Sequence, residues 1–214
     1  VALMPSTVPP LQTKSQIEYI VNKTANNTVN VYPIGAVTKN LEGKELCELY
    51  DMKCAGAVAF TDDKKTIHDS GLLLRALLYA ENIESLIITF AEDNALAMQG
   101  QVNESAATTR LGFKGVPSLA EELIVARDIQ LSEYADVSIH ISCVSSAKSV
   151  ELIKAAKRKG LRVTCDVAAY SLLNTDNDLI TFDSNFKVKP PLRSKADVEA
   201  LRNAVADNTI DVIV

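Results

Sequence analysis

The side chains best suited to chemistry in this sequence are short polar groups that follow apolar runs, and imidazoles are scarce among them. The chain has two histidines, His68 and His140, in 214 residues. Polar residues cluster directly after the apolar runs, at Ser6-Thr7, Thr38-Lys39, Thr61-Asp62-Asp63, Glu92-Asp93 and Ser145-Ser146. Zinc in proteins is held by histidine, cysteine and carboxylate ligands. Two histidines are too few to hold a full zinc centre at an active-site rim.

The elements that would position these groups are parallel strands that alternate with helices. Continuous apolar runs, several of them rich in Val and Ile, are typical of strands that are covered on both faces. The runs are Val1–Met4, Val29–Ile34, Ala57–Phe60, Leu86–Phe90, Val137–Val144, Leu161–Val167 and Ile210–Val214. Helices are indicated between them by the capping-box pattern Ser118-x-x-Glu121, the related Ser194-x-x-Asp197, and Gly160 as a helix end. No Asn-Gly or Asp-Gly turn joins two runs, so the sheet is predicted to be parallel.

The alternation fits either an open doubly wound sheet or most of an eight-stranded barrel. We favour the barrel because no Gly-x-Gly-x-x-Gly follows any strand, as it would in the usual nucleotide-binding open sheet. In a barrel the polar groups would also converge on one rim. Two long connections, Ala91 to Pro117 and Ala168 to Arg193, are more typical of functional segments than of filler. The predicted fold class is therefore α/β, a (β/α)8 TIM barrel, present as one partial domain over residues 1–214. Because the first and last runs lie at the chain ends, we expect a piece of a longer protein.

Composition narrows the functional classes. A net charge of −5 and a pI near 5.1 argue against a nucleic-acid partner, which needs a clustered positive surface. No run of about 18 apolar residues is present, so no membrane association is expected. The four cysteines form no Cys-x-x-Cys pair, which favours reduced thiols and a cytoplasmic location.

Several segments, taken in order along the whole chain, resemble dihydroorotase, an amidohydrolase that interconverts N-carbamoyl-aspartate and dihydroorotate. They are Met4-Pro5-Ser6-Thr7, Tyr32 to Lys39, Gly56 to Asp63, Asn103 to Gly112, Ala120-Glu121-Glu122, His140 to Val150 and Lys187 to Arg193. The resemblance implies a barrel with zinc at its mouth and a small flanking β-sandwich. This chain would supply strands two to eight. The first strand with its His-x-His, the last helix and an aspartate beyond strand eight would lie outside the residues shown.

The resemblance also implies metal-ligand positions, and two of them are substituted. The histidine that the family places at the end of strand five falls at Phe90, which has no lone pair. The ligand histidine at the end of strand six falls at Cys143, and a lone thiol is a poor replacement for a histidine pair. Asp62 or its neighbour Asp63 matches the carboxylate that bridges two metals, and Asp62 is the metal-ligand candidate; the alternative is a solvated turn. No cofactor is predicted, and zinc is the expected ion if any is bound.

The substrate-contacting positions that the resemblance implies are changed as well. Two asparagines of the family are replaced by Ser6 and Lys189, and a paired histidine stretch becomes Tyr170-Ser171. A lysine brings positive charge to a place where zinc already carries that sign, so Lys189 suits an empty site better than a metallated one.

Three functions remain open at this point. The first is a degenerate, non-catalytic dihydroorotase homologue of pyrimidine biosynthesis, which forms homo-oligomers and serves as a structural subunit of aspartate carbamoyltransferase. The second is an active dihydroorotase with a reduced, single-metal site that includes Asp62. The third is a binding protein that keeps the pocket for another small molecule, with Lys189 and Arg193 contacting an anion.

Overall fold

The fold alternates short strands with helices, as the sequence predicts. The computed structural model describes the backbone of residues 1–214 and the side chains of residues 1–106 and 108–214. The elements are β1 (Ala2–Leu3), α1 (Lys14–Thr24), β2 (Tyr32–Pro33), α2 (Leu49–Cys54), β3 (Phe60–Thr61), α3 (Ser70–Asn82), β4 (Ile87–Phe90), α4 (Asn94–Ala97), β5 (Val102–Asn103), α5 (Ala106–Arg110), β6 (Gly115–Val116), α6 (Leu119–Ala135), β7 (Ile139–Ser142), α7 (Ala147–Arg158), β8 (Val163–Val167), α8 (Lys195–Ala206) and β9 (Val212–Ile213). Each predicted apolar run contains one of these strands, except that Ala57–Phe60 shares only Phe60 with β3.

The chain divides into two compact units. The first comprises residues 1–90 and 131–140, and the second comprises residues 91–130 and 141–214. In the first unit β1 pairs with β2 and β3 with β4; in the second β5 pairs with β6 and β8 with β9. All four pairings are parallel, which confirms the prediction made from the lack of hairpin turns.

Each unit buries its own apolar side chains. In α3 the spacing of buried residues follows one helical face, so this helix covers the core of the first unit: Leu72, Leu73, Ala76, Leu77 and Ala80. The second unit buries side chains from α7, β8 and α8, among them Ile153, Cys165 and Leu201. Among the helices of the described residues, none combines the length and apolar character that crossing a membrane requires.

The predicted helix ends are confirmed, with one difference in a side chain. Ser194 and Asp197 form a reciprocal capping box at the start of α8, and Gly160 has a φ of 81° just after α7. Helix α6 starts at Leu119, one residue after Ser118, as the pattern indicates. The Glu121 carboxylate, however, accepts hydrogen bonds from Ser145 and Ser146 instead of capping its own helix.

The two long connections contain structure that the sequence patterns do not predict. The connection after β4 contains α4, α5 and the paired strands β5 and β6. The connection after β8 folds into three short 3-10 helices, at Ala169–Leu172, Asp176–Thr181 and Ser184–Phe186. β5 and β6 lie outside the continuous apolar runs that predict the other strands, and helices of three to six residues are too short to show a helical period, so the sequence patterns do not reveal these elements.

Gly100, in the segment before β5, lies against the backbone of β6, and this proximity yields a stability prediction. A Cβ on Gly100 would lie 2.5 Å from the carbonyl oxygen of Gly115, and backbone cannot move aside as a side chain can. We expect Gly100→Ala to lower the free energy of unfolding by about 1–3 kcal/mol through this overpacking. The measurement is urea unfolding of the purified protein.

Gly112 is the matched control for this variant. It has a φ of 74° and open space around its missing Cβ, so Gly112→Ala tests backbone strain alone, at about 1 kcal/mol. Equal losses for the two variants would contradict the steric explanation.

Candidate active-site residues

Ser6 and Asp63 lie side by side in the first unit. Ser6 is exposed in the segment after β1, and its hydroxyl donates a hydrogen bond to Asp63 Oδ2. Asp63 follows β3 in a left-handed conformation with a φ of 56°, and its N–H donates to Thr61 Oγ1 at 3.0 Å. The carboxylate that faces the substituted position Ser6 is therefore Asp63.

Asp62 has a different environment, although it is the adjacent residue. It is 3% exposed, and its Oδ1 accepts hydrogen bonds from the N–H groups of Val37 and Thr38, at 3.0 and 2.9 Å. Its Oδ2 accepts from the hydroxyl of Thr38. Burial raises the pKa of this carboxyl, and these hydrogen bonds oppose the increase because they favour the ionised form. Both oxygens fix the loop after β2, so Asp62 has a structural role, and its role as a metal ligand stays a prediction.

Phe90 ends β4 as a buried apolar side chain. Its exposed fraction is 3%, and its carbonyl oxygen accepts a hydrogen bond from Thr66 Oγ1 at 2.8 Å. The ring provides neither a donor atom for a metal nor an acid or base. At this position the side chain packs in the core and offers no atom that could coordinate a metal.

Cys143 lies just after β7 in the second unit, in a strained backbone conformation. Its φ is 57°, and its N–H donates to Asp166 Oδ1 on β8 at 2.7 Å. Burial raises the pKa of the Tyr170 hydroxyl, and the nearby Cys143 and Asp166 raise it further. Cys143, Asp166 and Tyr170 therefore form one cluster in this unit.

Lys189 is held by two contacts on its own unit. Its Nζ lies 2.9 Å from Glu92 Oε1, and its carbonyl oxygen accepts a hydrogen bond from the Tyr170 hydroxyl at 2.8 Å. The Lys189 ammonium is thus paired with a carboxylate of the same chain.

Arg193 is the centre of a buried polar network in the second unit. Its guanidinium is 3% exposed; Nε donates to Ser145 Oγ at 3.0 Å, and one terminal nitrogen donates to Asn103 Oδ1 and to the carbonyl of Val116, at 3.0 and 2.9 Å. The other terminal nitrogen lies 3.7 Å from Glu121 Oε2. The expectation that Arg193 contacts an anionic ligand is wrong, because its guanidinium is buried and its charge is paired with Glu121 inside the protein.

Other partners in this network escaped the sequence analysis. Asn103 donates to Asp176 Oδ2 at 2.9 Å, so the network extends into the 3-10 helix at 176–181. The spacing of Glu121 from Ser118 fits a capping box, so the sequence predicts a helix cap and not a buried ion pair. Glu121 and Arg193 are far apart in sequence, so no local sequence pattern reveals that they pair.

The described residues do not by themselves fit a metal ion. His68 is exposed near the start of α3, and His140 is half-buried on β7. Among the side chains of residues 1–106 and 108–214, no group of three or more His, Cys, Asp or Glu residues is arranged to hold a metal. Zinc usually needs three protein ligands even in an open catalytic site. We therefore assign no metal-dependent chemical step to these residues.

Solved structures identify the class of fold. An L-hydantoinase (dihydropyrimidinase) from Arthrobacter aurescens matches with a TM-score of 0.82 at 24% identity, over 99% of this chain and 49% of that chain. The inactive dihydroorotase-like domain of a CAD-like multifunctional protein from Chaetomium thermophilum matches with a TM-score of 0.61 at 19% identity, over 99% and 52%. These likenesses concern the fold alone, and they confirm the predicted α/β fold class, a TIM barrel of which this chain forms a part.

Sequence comparisons identify the family. The family model described as Dihydro-orotase-like matches residues 1–149. A dihydroorotase from Acetivibrio thermocellus is 46% identical over 214 residues, and one from Syntrophus aciditrophicus is 43% identical over 215. The chain belongs to the dihydroorotase-like family. Each match covers 100% of this chain and 50% of the relative, so the chain spans about half the length of these curated relatives.

From the Arg193 network we predict that the buried pair of Arg193 and Glu121 stabilises the protein more than the pair of Lys189 and Glu92 does. We expect Arg193→Met to lower the free energy of unfolding by about 3–5 kcal/mol, because it leaves the Glu121 carboxylate buried without its cation. Denaturant unfolding of the purified protein measures the loss. The double variant Arg193→Met/Glu121→Leu should recover part of it.

Lys189→Met is the control for this prediction. It removes a cation from a pair that is half-exposed on the lysine side, and such pairs contribute about 0–1 kcal/mol. A larger loss for Lys189→Met than for Arg193→Met would contradict the assignment.

Proposed function

We propose that this chain is part of a dihydroorotase-like protein of pyrimidine biosynthesis that has lost its own catalysis and acts as a structural subunit of aspartate carbamoyltransferase. The observation that carries the proposal is Phe90, a buried phenyl ring at the position where the family resemblance implies a zinc-binding histidine. Membership of the family and the barrel fold support the pathway assignment. The loss of catalysis is inferred from the chemistry of the substituted residues.

Opening or closing a cyclic amide requires a nucleophilic water, a polarised carbonyl and a proton donor for the leaving nitrogen. In this family the resemblance implies that zinc supplies the first two. A phenyl ring cannot replace an imidazole as a ligand, and Cys143 offers a single thiol beside Asp166 and Tyr170. The remaining side chains at the substituted positions have partners within the chain, since Ser6 donates to Asp63 and Lys189 pairs with Glu92.

An active dihydroorotase with one metal is the alternative. It is favoured by the name dihydroorotase given to relatives that are 46% identical over the full chain. In that case a carboxylate of this chain would join ligands from other parts of the protein. Asp63 is better placed than Asp62 for such a role, because its carboxylate faces the exposed Ser6 hydroxyl, whereas the Asp62 carboxylate is buried and accepts hydrogen bonds from two backbone N–H groups.

The test of lost catalysis is zinc content together with turnover of the full-length protein. We expect less than about 0.1 zinc per chain after dialysis, because Phe90 and Cys143 do not form a histidine site. We also expect no conversion of carbamoyl-aspartate to dihydroorotate above the uncatalysed rate. Plasma emission spectrometry and a chromatographic assay measure the two quantities.

The matched variants are Phe90→His/Cys143→His and the single changes. If the double variant retains zinc and the single variants do not, the result would support the interpretation that the residues at these two positions account for the loss of zinc binding. Stoichiometric zinc and turnover in the parent protein would reject it in favour of the single-metal enzyme. In that outcome, Asp63→Asn should lower zinc content more than Asp62→Asn.

Association with aspartate carbamoyltransferase is tested separately. We expect the full-length protein and the aspartate carbamoyltransferase of the same organism to co-elute in size-exclusion chromatography with light scattering, and the mass also gives the oligomeric state. Standard protein interfaces bury about 1,600 Å2 and hold at micromolar concentration or below. Independent elution at about 20 µM would contradict the proposed partner.

A further inference from the structure

A cavity of about 210 Å3 in the second unit is lined by none of the residues named above as metal or substrate positions. Its base is formed by buried Val102 on β5 and buried Leu179 in the 3-10 helix at 176–181. Phe113 and Phe182 line it, and their ring centroids are 5.6 Å apart with a 45° tilt. The walls are therefore apolar and largely aromatic.

The base of this cavity is fixed by the buried network. Asn103, next to Val102, donates to Asp176 at the start of the 3-10 helix that carries Leu179. Thr175 and Asp178 add a capping box to the same helix, and the helix packs against α5. The cavity is thus part of a rigid arrangement, which is the usual condition of a binding site.

Phe182 stands in a conformation that its residue type disfavours. It has a φ of 54°, in the left-handed region, and 65% of it is exposed. Bulky residues rarely adopt this region without a compensating reason. Here the turn places an exposed ring beside Phe113 at the cavity, where it is available to stack on a planar ligand.

The rim of the cavity carries polar groups, of which Lys187 is the cation. Gln101, Asp183, Ser184 and Lys187 line this edge, and the Asp183 carboxylate already accepts a hydrogen bond from the N–H of Asn185 at 2.9 Å. Among the described side chains, Lys187 has no ion-pair partner, unlike Lys189 with Glu92. An unpaired ammonium beside an apolar cavity favours a ligand with an anionic group.

We propose that the cavity between Phe113, Phe182 and Lys187 binds a single aromatic ring that carries a carboxylate. The size agrees with this class, since a cavity of roughly 150 Å3 accommodates benzene, and 210 Å3 adds room for one small substituent. The phenyl rings select for a planar ring, and Lys187 selects for the anion. This binding does not depend on zinc or on the function proposed above.

The test uses benzoate as the probe with full-length protein, and benzamide and cyclohexanecarboxylate as its neutral and non-planar counterparts. Isothermal titration, with 19F NMR line broadening of 4-fluorobenzoate, measures affinity. We expect benzoate to bind with a Kd of about 1 mM or tighter. Benzamide should bind about fivefold more weakly because it has no charge, and cyclohexanecarboxylate should also bind about fivefold more weakly because it does not stack.

Two pocket variants and one control variant test whether benzoate binds in this cavity. Lys187→Gln and Phe182→Ala should each weaken benzoate about fivefold, whereas Lys195→Gln, a change at an exposed residue at the start of α8, should leave it unchanged. If Phe182→Ala fails to fold by circular dichroism, Phe182→Leu tests stacking with the apolar volume retained. No binding at about 10 mM benzoate, equal affinity for the three probes, or parental affinity in both pocket variants would overturn the proposal.

Discussion

The buried pair of Arg193 and Glu121 is the interaction on which the second unit depends. Arg193 follows the long connection after β8, whereas Glu121 lies in the first turn of α6. Removing two charges from water is unfavourable unless every donor and acceptor finds a partner. Here the guanidinium reaches Ser145, Asn103 and the Val116 carbonyl, and the carboxylate receives the N–H groups of Ser145 and Ser146. One pair thus fixes the ends of several elements together.

The need of buried polar groups for partners explains why the two long connections adopt a defined structure. Segments with so little regular secondary structure need fixed points, and Asn103 with Asp176 provides one between β5 and the first residue of the 3-10 helix at 176–181. The aromatic cavity and the strained turn at Phe182 are attached to that fixed point. A strained residue persists only where its surroundings define its position, which is the situation at the end of this 3-10 helix.

The substituted positions of the family share a physical feature. Ser6 donates to Asp63, Lys189 pairs with Glu92, and the Cys143 amide donates to Asp166. Each of these contacts joins two residues of the same unit. These contacts form without a ligand, and they agree with the structural role proposed above. The same barrel fold is found in hydantoinases and in an inactive dihydroorotase-like domain, so the fold alone does not decide activity.

The sequence by itself determined the parallel α/β class, the positions of the strands other than β5 and β6, the end of α7, the start of α8, and the family. These follow from apolar runs, caps and ordered motifs, which are local signals. It also determined that Phe90 cannot bind a metal, because that depends on the residue type alone. The tertiary structure decided between Asp62 and Asp63, adjacent in sequence but different in burial and partners, and it reassigned Arg193 from a ligand contact to a buried ion pair. Residues 72 positions apart carry no local pattern, so only the folded chain shows that Arg193 and Glu121 meet.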